Sequence, residues 1–241
     1  MSRVAISTGG ALGEQCTRDG VPWAKLPAGM PPRAALFASW VTWTHLLDRL
    51  GWIEDPTPSW REAARQLAAQ NREWGPATPE PRNPAKRVAR ELEGRFAFIY
   101  CGSERLGPVA TRLRNQLNEN AKLLGHSAVV PELNHNEIVG WERRGPLGDR
   151  AAVLLLRDAE DPPEVQSRLT LTAEYVIAQG ARLSELGGFT GERLARMASL
   201  VLFGDYVSLY LALLNGVDPT PIASIDAFKR RLQEQGAKRA R

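Results

Sequence analysis

The chain has 241 residues, of which 43% are hydrophobic and 24% charged, the balance of a globular protein with one large or two small domains. This composition excludes intrinsic disorder and a fibrous repeat. The longest apolar stretches, residues 151–156 and 200–214, are too short or too interrupted to span a bilayer, so we expect no membrane segment. No secretory signal pattern opens the sequence, and we expect a cytoplasmic protein.

The cysteines and the basic residues limit the possible partners. Cys16 and Cys101 have no CxxC motif around them, which predicts two buried thiols rather than a disulfide or a zinc site. The net charge of +4 comes largely from residues 229–231 and 238–241, and a modest basic excess suits anionic partners such as phosphates. We expect the last four residues to be solvated. Because no helix-turn-helix or aromatic RNA-binding motif accompanies them, nucleic acid is not an expected partner.

A β-α-β pattern opens the chain, with apolar runs at 4–7 and 21–26 on either side of a helical stretch at 11–18. After a loop rich in proline and glycine, Arg33 is predicted to open a helix that ends at Gly51. Six prolines then surround one polar amphipathic helix at 59–73. We interpret this stretch as an inter-domain connector.

A second α/β unit starts with the apolar strand predicted at 95–100, which ends in a Gly102-Ser103 turn. The unbroken apolar run at 151–156 is typical of a parallel strand that is covered on both faces. A further strand is predicted at 181–186. Helices are predicted at 84–93, 106–124, 163–179, 192–215 and 221–235.

The sequence lacks the common nucleotide-binding, metalloprotease and hydrolase motifs. Its three histidines are therefore considered one by one as candidate catalytic residues. His45 is predicted to be a packing or surface residue. His126 follows a predicted helix C-terminus and is expected to be structural. His135 stands in Asn134-His135-Asn136-Glu137, where the residues alone leave acid-base work and a capped loop equally open.

Glu119 is the candidate carboxylate. It lies on the face of the predicted helix that carries Asn115 and Lys122, away from the apolar stripe. An ordinary solvated helix face is the favoured interpretation of this position. However, residues 115–120 contain three Asn and one Gln, and Asn is a poor helix former, so a function that tolerates this cost is the alternative.

Three segments closely resemble the bifunctional phosphoglucose/phosphomannose isomerases, a branch of the sugar isomerase (SIS) superfamily. They are QLNENAK (116–122), PELNHNEIVGWE (131–142) and GDYVSLYLALLNGVDPTPI (204–222). AISTGGAL and PAGMPPRAAL, near the N-terminus, resemble the later part of that family's first SIS domain. The resemblance implies an α/β fold with two SIS-type three-layer αβα domains with parallel sheets, the first one incomplete. Residues 1–81 would form the partial first domain plus the connector, and residues 82–241 the C-terminal SIS domain.

The resemblance also implies a reaction and four site residues. The chain would interconvert glucose 6-phosphate or mannose 6-phosphate with fructose 6-phosphate through an enediolate, as part of glycolysis and gluconeogenesis. Glu119 would move the proton between C2 and C1, and His135 would open the sugar ring from the other subunit of a homodimer. Arg33 would hold the charge of the enediolate, and Lys229 would assist at the ring oxygen. No metal or organic cofactor is implied.

The sequence departs from the family in its phosphate-binding loops. The family's Gly-Ser loop and SYSGNT-type loop have no counterpart in this sequence. One explanation is a shortened copy of an isomerase, which we expect to turn over slowly. The other is a reduced protein, and the alternative function is then a non-catalytic SIS module that binds sugar phosphates or protein partners.

Overall fold

Residues 3–143 and 147–239 are described by a computed structural model. The chain divides into two units, residues 1–65 and 66–241. The division falls inside a helix, whereas the sequence analysis placed the domain boundary at residue 81. Every strand pair in the described ranges is parallel, which confirms the predicted α/β class with parallel sheets.

The first unit begins with the predicted β-α-β motif. β1 (Ala5–Ser7) and β2 (Trp23–Lys25) pair in parallel, and α1 (Gly10–Arg18) connects them. The helix lies so close to β2 that a Cβ on Gly13 would be 3.0 Å from the Trp23 ring. A glycine is therefore what lets α1 pack on this strand.

The helix predicted to open at Arg33 begins three residues later, so that prediction was wrong at its start. Arg33 lies in a 3-10 turn, Pro32–Ala34, and α2 spans Leu36–Arg49. Ala35, with φ −94° and ψ 11°, separates the turn from the helix. Pro31 is extended and Pro32 has no N–H to donate, and this pair favours a short turn over a full helical start.

The predicted connector helix is present as α3, which spans Thr57–Trp74. Trp60 is buried in the first unit, where its ring meets Trp40 edge-on at 5.2 Å and its Nε1 donates to Thr44 Oγ1 at 2.8 Å. Both ring nitrogens of His45 lie within hydrogen-bond distance of oxygens in the same unit. His45 is therefore structural, as predicted.

The second unit holds a four-stranded parallel sheet in the order β4-β3-β5-β6. Its strands are β3 (Phe96–Gly102), β4 (Gly125–Val130), β5 (Ala151–Leu156) and β6 (Arg182–Leu186). All six residues of β5 are buried, as its unbroken apolar run predicted. The chain order reverses between β3 and β5. The crevice beyond the carboxyl ends of these two strands is thus the usual ligand position for such a topology.

Helices cover both faces of this sheet. The β3-α5-β4 and β5-α7-β6 crossovers run in opposite directions along it, so right-handed connections place their helices on opposite faces. α8 packs against both α4 and α5, and a buried cluster joins α7 to residues 131–141. The helices are α4 (Pro84–Leu92), α5 (Ser103–Ala121), α6 (Glu137–Gly140), α7 (Pro163–Ala178), α8 (Arg193–Leu214) and α9 (Ala223–Arg239).

Among the helices in the described ranges, α8 is the one long and apolar enough to cross a membrane, with a mean hydropathy of 1.7. Its most apolar window is 56% buried in the protein, and the core helix of a soluble protein has the same properties. Asp205 in its middle is hydrogen-bonded to α5. The apolar composition of α8 is thus explained by packing against α4 and α5.

The remaining sequence predictions concern the thiols and the C-terminus. Both cysteines are free and buried, as predicted. α9 continues to Arg239, four residues beyond the predicted helix end, and residues 240 and 241 lie outside the described residues.

Candidate active site

Glu119 lies in the last turn of α5, two residues before that helix ends at Ala121. Lys122 then adopts a left-handed backbone conformation, with φ 55°, which terminates the helix. Its Nζ donates to the carbonyl oxygen of Glu119 at 2.5 Å and to that of Pro221 at 2.8 Å. The backbone that carries the half-buried Glu119 side chain is therefore fixed, and it is joined to the segment that leads into α9.

A row of polar side chains, spaced four residues apart on α5, faces α8. Arg112 Nη2 donates to both carboxylate oxygens of Asp205 at 2.9 Å, and Gln116 Nε2 donates to Oδ1 at 2.7 Å. Asn120 Nδ2 donates to Ser208 Oγ at 2.9 Å. We call these five residues the α5–α8 polar seam. Gln116 and Asn120 are buried in it, so part of the amide density that suggested a function has a structural role.

The seam depends on a close approach of the two helices. A Cβ on Gly204 of α8 would lie 2.9 Å from Leu113 Cδ1 of α5. Burial raises the pKa of the Asp205 carboxyl above its ordinary value, although Arg112 and Gln116 act in the opposite direction. Desolvation is thus the larger effect on this carboxylate, and its charge depends on the two donors from α5.

Lys229 lies on α9, with its side chain exposed, six residues after the start of the helix. Lys122 Nζ joins the end of α5 to Pro221, two residues before α9, and Asn215 Nδ2, at the end of α8, donates to the Ala121 carbonyl at 3.0 Å. The segment that leads into α9 is therefore tied to the end of α5, which carries Glu119.

His135 lies at the opposite end of the same unit. It ends a 3-10 turn, Glu132–Asn134, that follows the carboxyl end of β4. Glu119 is 16 positions after Ser103, where α5 leaves the carboxyl end of β3, so it lies about 24 Å further along the helix. One subunit therefore does not bring Glu119 and His135 together.

The His135 imidazole is exposed and makes no hydrogen bond to any residue within 3–143 or 147–239. Its position depends on the backbone, which its neighbours hold. Asn134 Nδ2 donates to Thr172 Oγ1 of α7 at 2.8 Å, and Leu133 is buried in the cluster beneath the segment. The imidazole is therefore presented outward from a fixed turn.

Arg33, the fourth predicted site residue, belongs to the first unit. It lies in the 3-10 turn before α2, and its side chain is half-buried.

Each carboxylate oxygen of Glu137, two residues after His135, contacts a polar side chain of the sheet. Oε1 accepts a hydrogen bond from the Tyr100 hydroxyl at 2.6 Å, and Oε2 lies 2.8 Å from His126 Nε2. Trp141 Nε1 donates to the Tyr100 oxygen at 3.0 Å. Burial, followed by the Glu137 carboxylate, raises the pKa of the Tyr100 phenol, so this residue remains a hydrogen-bond donor.

This cluster was not anticipated from the sequence. His126 was placed after a helix C-terminus, but the structure places it in β4, where its role is nonetheless structural. The sequence signal for this cluster was Tyr100, whose hydroxyl lies in the otherwise apolar strand FAFIYCG. A buried hydroxyl needs a hydrogen-bond partner.

The crevice at the carboxyl ends of β3 and β5 carries both carboxylates and arginines. The loop after β5 carries Asp158, Glu160 and Asp161. Arg196 of α8 pairs with Asp158 at 3.0 Å and with Glu160 at 2.9 Å, and Arg105 of α5 pairs with Glu160 at 2.8 Å. A Cβ on Gly102 would be 3.2 Å from Asp161 Oδ1. This crevice thus holds carboxylates and arginines that are paired with one another.

The described ranges do not gather metal ligands. Within them, no group of three or more His, Cys, Asp or Glu side chains is placed to hold a metal ion.

Comparison with known proteins places the chain in a family. The sequence model of the bacterial phospho-glucose isomerase C-terminal SIS domain matches residues 81–232. The bifunctional phosphoglucose/phosphomannose isomerase of Caldicellulosiruptor bescii is 36% identical, over 96% of this chain and 68% of its own length. The protein of the same name from Aquifex aeolicus is 28% identical, over 96% of this chain and 68% of its own length.

Solved structures show the same fold. A glucose-6-phosphate isomerase like protein from Thermus thermophilus superposes with a TM-score of 0.66 at 24% identity, covering 92% of this chain and 75% of that one. Tagatose-6-phosphate ketose/aldose isomerase from Escherichia coli gives 0.62 at 14% identity, covering 91% and 64%. From its sequence and fold together, the chain belongs to the bifunctional phosphoglucose/phosphomannose isomerase family and is a sugar-phosphate isomerase.

Proposed function

We propose that the chain interconverts glucose 6-phosphate or mannose 6-phosphate with fructose 6-phosphate, with Glu119 as the base. The relatives are named for phosphoglucose and phosphomannose. The observation that carries the proposal is the fixed position of Glu119, in the last turn of α5 beside the start of α9. Proton abstraction from carbon requires a carboxylate in a fixed position relative to the substrate. Lys122 and the α5–α8 polar seam hold the end of α5, which carries Glu119.

In the proposed step Glu119 takes the proton from C2 of the open-chain aldose. The electron pair of the broken C–H bond forms the C1–C2 double bond, and the aldehyde oxygen takes the negative charge. The C2 hydroxyl proton then passes to the C1 oxygen, Glu119 returns its proton to C1, and the C2 oxygen forms the carbonyl of the ketose. Abstraction from either epimer at C2 leads to the same enediolate, which accounts for both names of the relatives.

Two cations are proposed to stabilise the charges that develop on oxygen. Lys229, on the helix that begins beside the end of α5, acts at the ring oxygen during ring opening. Arg33 holds the negative charge of the enediolate. No metal or organic cofactor takes part in these steps.

We propose that His135 opens the sugar ring in the site of the other subunit of a homodimer. The opposite placement of Glu119 and His135 in one subunit supports this sharing, and so does the exposed imidazole. An imidazole is suited to proton transfer near neutral pH. The homodimer is thus required for a complete site.

We expect slow turnover and a cytoplasmic location. The sequence has no counterpart of the family's phosphate loops. Loss of this remote binding energy lowers the rate of the chemical step.

The test is proton exchange with solvent, which detects slow enolisation. The protein is incubated with fructose 6-phosphate in deuterium oxide, and deuterium at C1 and C2 of the hexose phosphates is measured by NMR. We expect incorporation by the wild type and a loss of about 100-fold or more in Glu119→Gln. Equal incorporation by wild type and variant would overturn the assignment of the base. Binding of the sugar phosphate without any exchange would instead support the non-catalytic module.

A further inference from the structure

The segment that carries His135, residues 131–142, is held to the sheet by Glu137. Its carboxylate accepts a hydrogen bond from the hydroxyl of Tyr100 on β3. The other carboxylate oxygen contacts the ring of His126 on β4. These two strands are neighbours, so one side chain ties the segment to two positions of a rigid sheet. We propose that Glu137 is a positioning residue that sets the orientation of His135, an inference that rests on the proposed function of His135.

The charge of Glu137 suits this task. An ionised carboxylate accepts two hydrogen bonds, and bonds to a charged acceptor are shorter and stronger than neutral ones. Tyr100 is fully buried, and Trp141 Nε1 donates to its oxygen, so its hydroxyl proton is directed to Glu137. The point at which Glu137 is anchored therefore lies in the buried core of the sheet.

The second fastening lies on the other side of His135. Asn134 donates to Thr172, which is 1% exposed. With Asn134 on one side and Glu137 on the other, the His135 backbone is held at two points, while the imidazole itself has no hydrogen bond to the described residues. Removal of Glu137 therefore frees one side of the turn without touching the imidazole.

The first experiment compares Glu137→Ala with Glu142→Ala. Glu142 is an exposed glutamate on the same segment, so the control removes the same charge. Because Glu137 does not contact substrate in this proposal, we expect kcat to fall by about 10- to 100-fold in Glu137→Ala with KM within about threefold of wild type. Tyr100→Phe, which removes only one of the two contacts of the Glu137 carboxylate, should have a kcat between those of Glu137→Ala and wild type. Equal kcat in Glu137→Ala and Glu142→Ala would overturn the proposal.

A mixing experiment separates positioning from a general loss of structure. If Glu137 acts through His135, Glu137→Ala mixed with Glu119→Gln should regain activity, because one site of each heterodimer then has Glu119 and a well-placed His135. Glu137→Ala mixed with His135→Ala should show no activity above the residual activity of Glu137→Ala. Equal recovery in the two mixtures would contradict the proposal.

A measurement that needs no turnover keeps this inference distinct from the proposed function. We expect amide hydrogen exchange in a peptide covering residues 132–140 to be at least about tenfold faster in Glu137→Ala than in Glu142→Ala. Unchanged exchange would overturn the positioning role. Faster exchange in a protein whose wild type shows no enolisation would place the failure in the proposed function instead.

Discussion

The α5–α8 polar seam predicts a specific response to Arg112→Met. This change keeps most of the apolar stem and removes the cation that Asp205 faces. The two side chains are 18% and 24% exposed, between the fully buried and the surface case. Removal of one partner costs about 3–5 kcal/mol in a buried pair and about 1 kcal/mol or less at the surface, so we expect a loss of about 2 kcal/mol.

The loss should depend on pH in a definite direction. Burial already holds the pKa of Asp205 above its ordinary value, and removal of Arg112 takes away a group that lowers it. A carboxyl whose pKa is raised by folding contributes stability below its unfolded pKa and loses it as the pH rises through the folded pKa. The deficit of Arg112→Met relative to wild type should therefore widen from about pH 4 to about pH 7.

Urea denaturation of both proteins, followed by circular dichroism at several pH values, measures this deficit. The double variant Arg112→Met/Asp205→Asn should recover most of the loss at neutral pH, because the introduced amide carries no charge and can still accept the hydrogen bond from Gln116. A deficit that is independent of pH, or a double variant no more stable than Arg112→Met, would refute the electrostatic account of the seam.

Two further predictions concern the second unit. Asn83 is buried, donates to the Trp74 carbonyl at 2.8 Å and caps α4 through the amide of Lys86, so Asn83→Ala should lower the free energy of unfolding by about 2–3 kcal/mol in urea; a loss below about 0.5 kcal/mol would contradict this. Burial, and then the carboxylate of Asp161, raises the pKa of Cys101 to about 12. Its thiol should therefore react with an aromatic disulfide reagent only after unfolding. Rapid labelling of the native protein would contradict the burial of this thiol.

The strands of the second unit show what the sequence could and could not predict. β5 was predicted because a central strand covered on both faces is apolar throughout. β4 was not assigned as a strand, since it is an edge strand that carries half-exposed or exposed residues, among them His126. Its polar residues gave no continuous apolar run, and pairing with β3 in three dimensions decides its conformation.

The candidate site also has parts that the sequence predicts and parts that it does not. Glu119 and His135 came from their motifs and from the residue types, and those signals are local. The burial of Gln116 and Asn120 against α8 depends on residues about 90 positions away, and no local pattern encodes it. The tie between Glu137 and Tyr100 likewise joins two elements that are separated in sequence.

Subunit sharing of the site is the central claim, and mixed dimers test it most directly. Glu119→Gln and His135→Ala, each inactive alone, are mixed under conditions where subunit exchange is confirmed by mass spectrometry. Random pairing makes half of the dimers heterodimers, each with one intact site of two, so the account predicts about one quarter of the wild-type enolisation rate. A mixture that stays as inactive as its parents despite confirmed exchange would contradict the shared site.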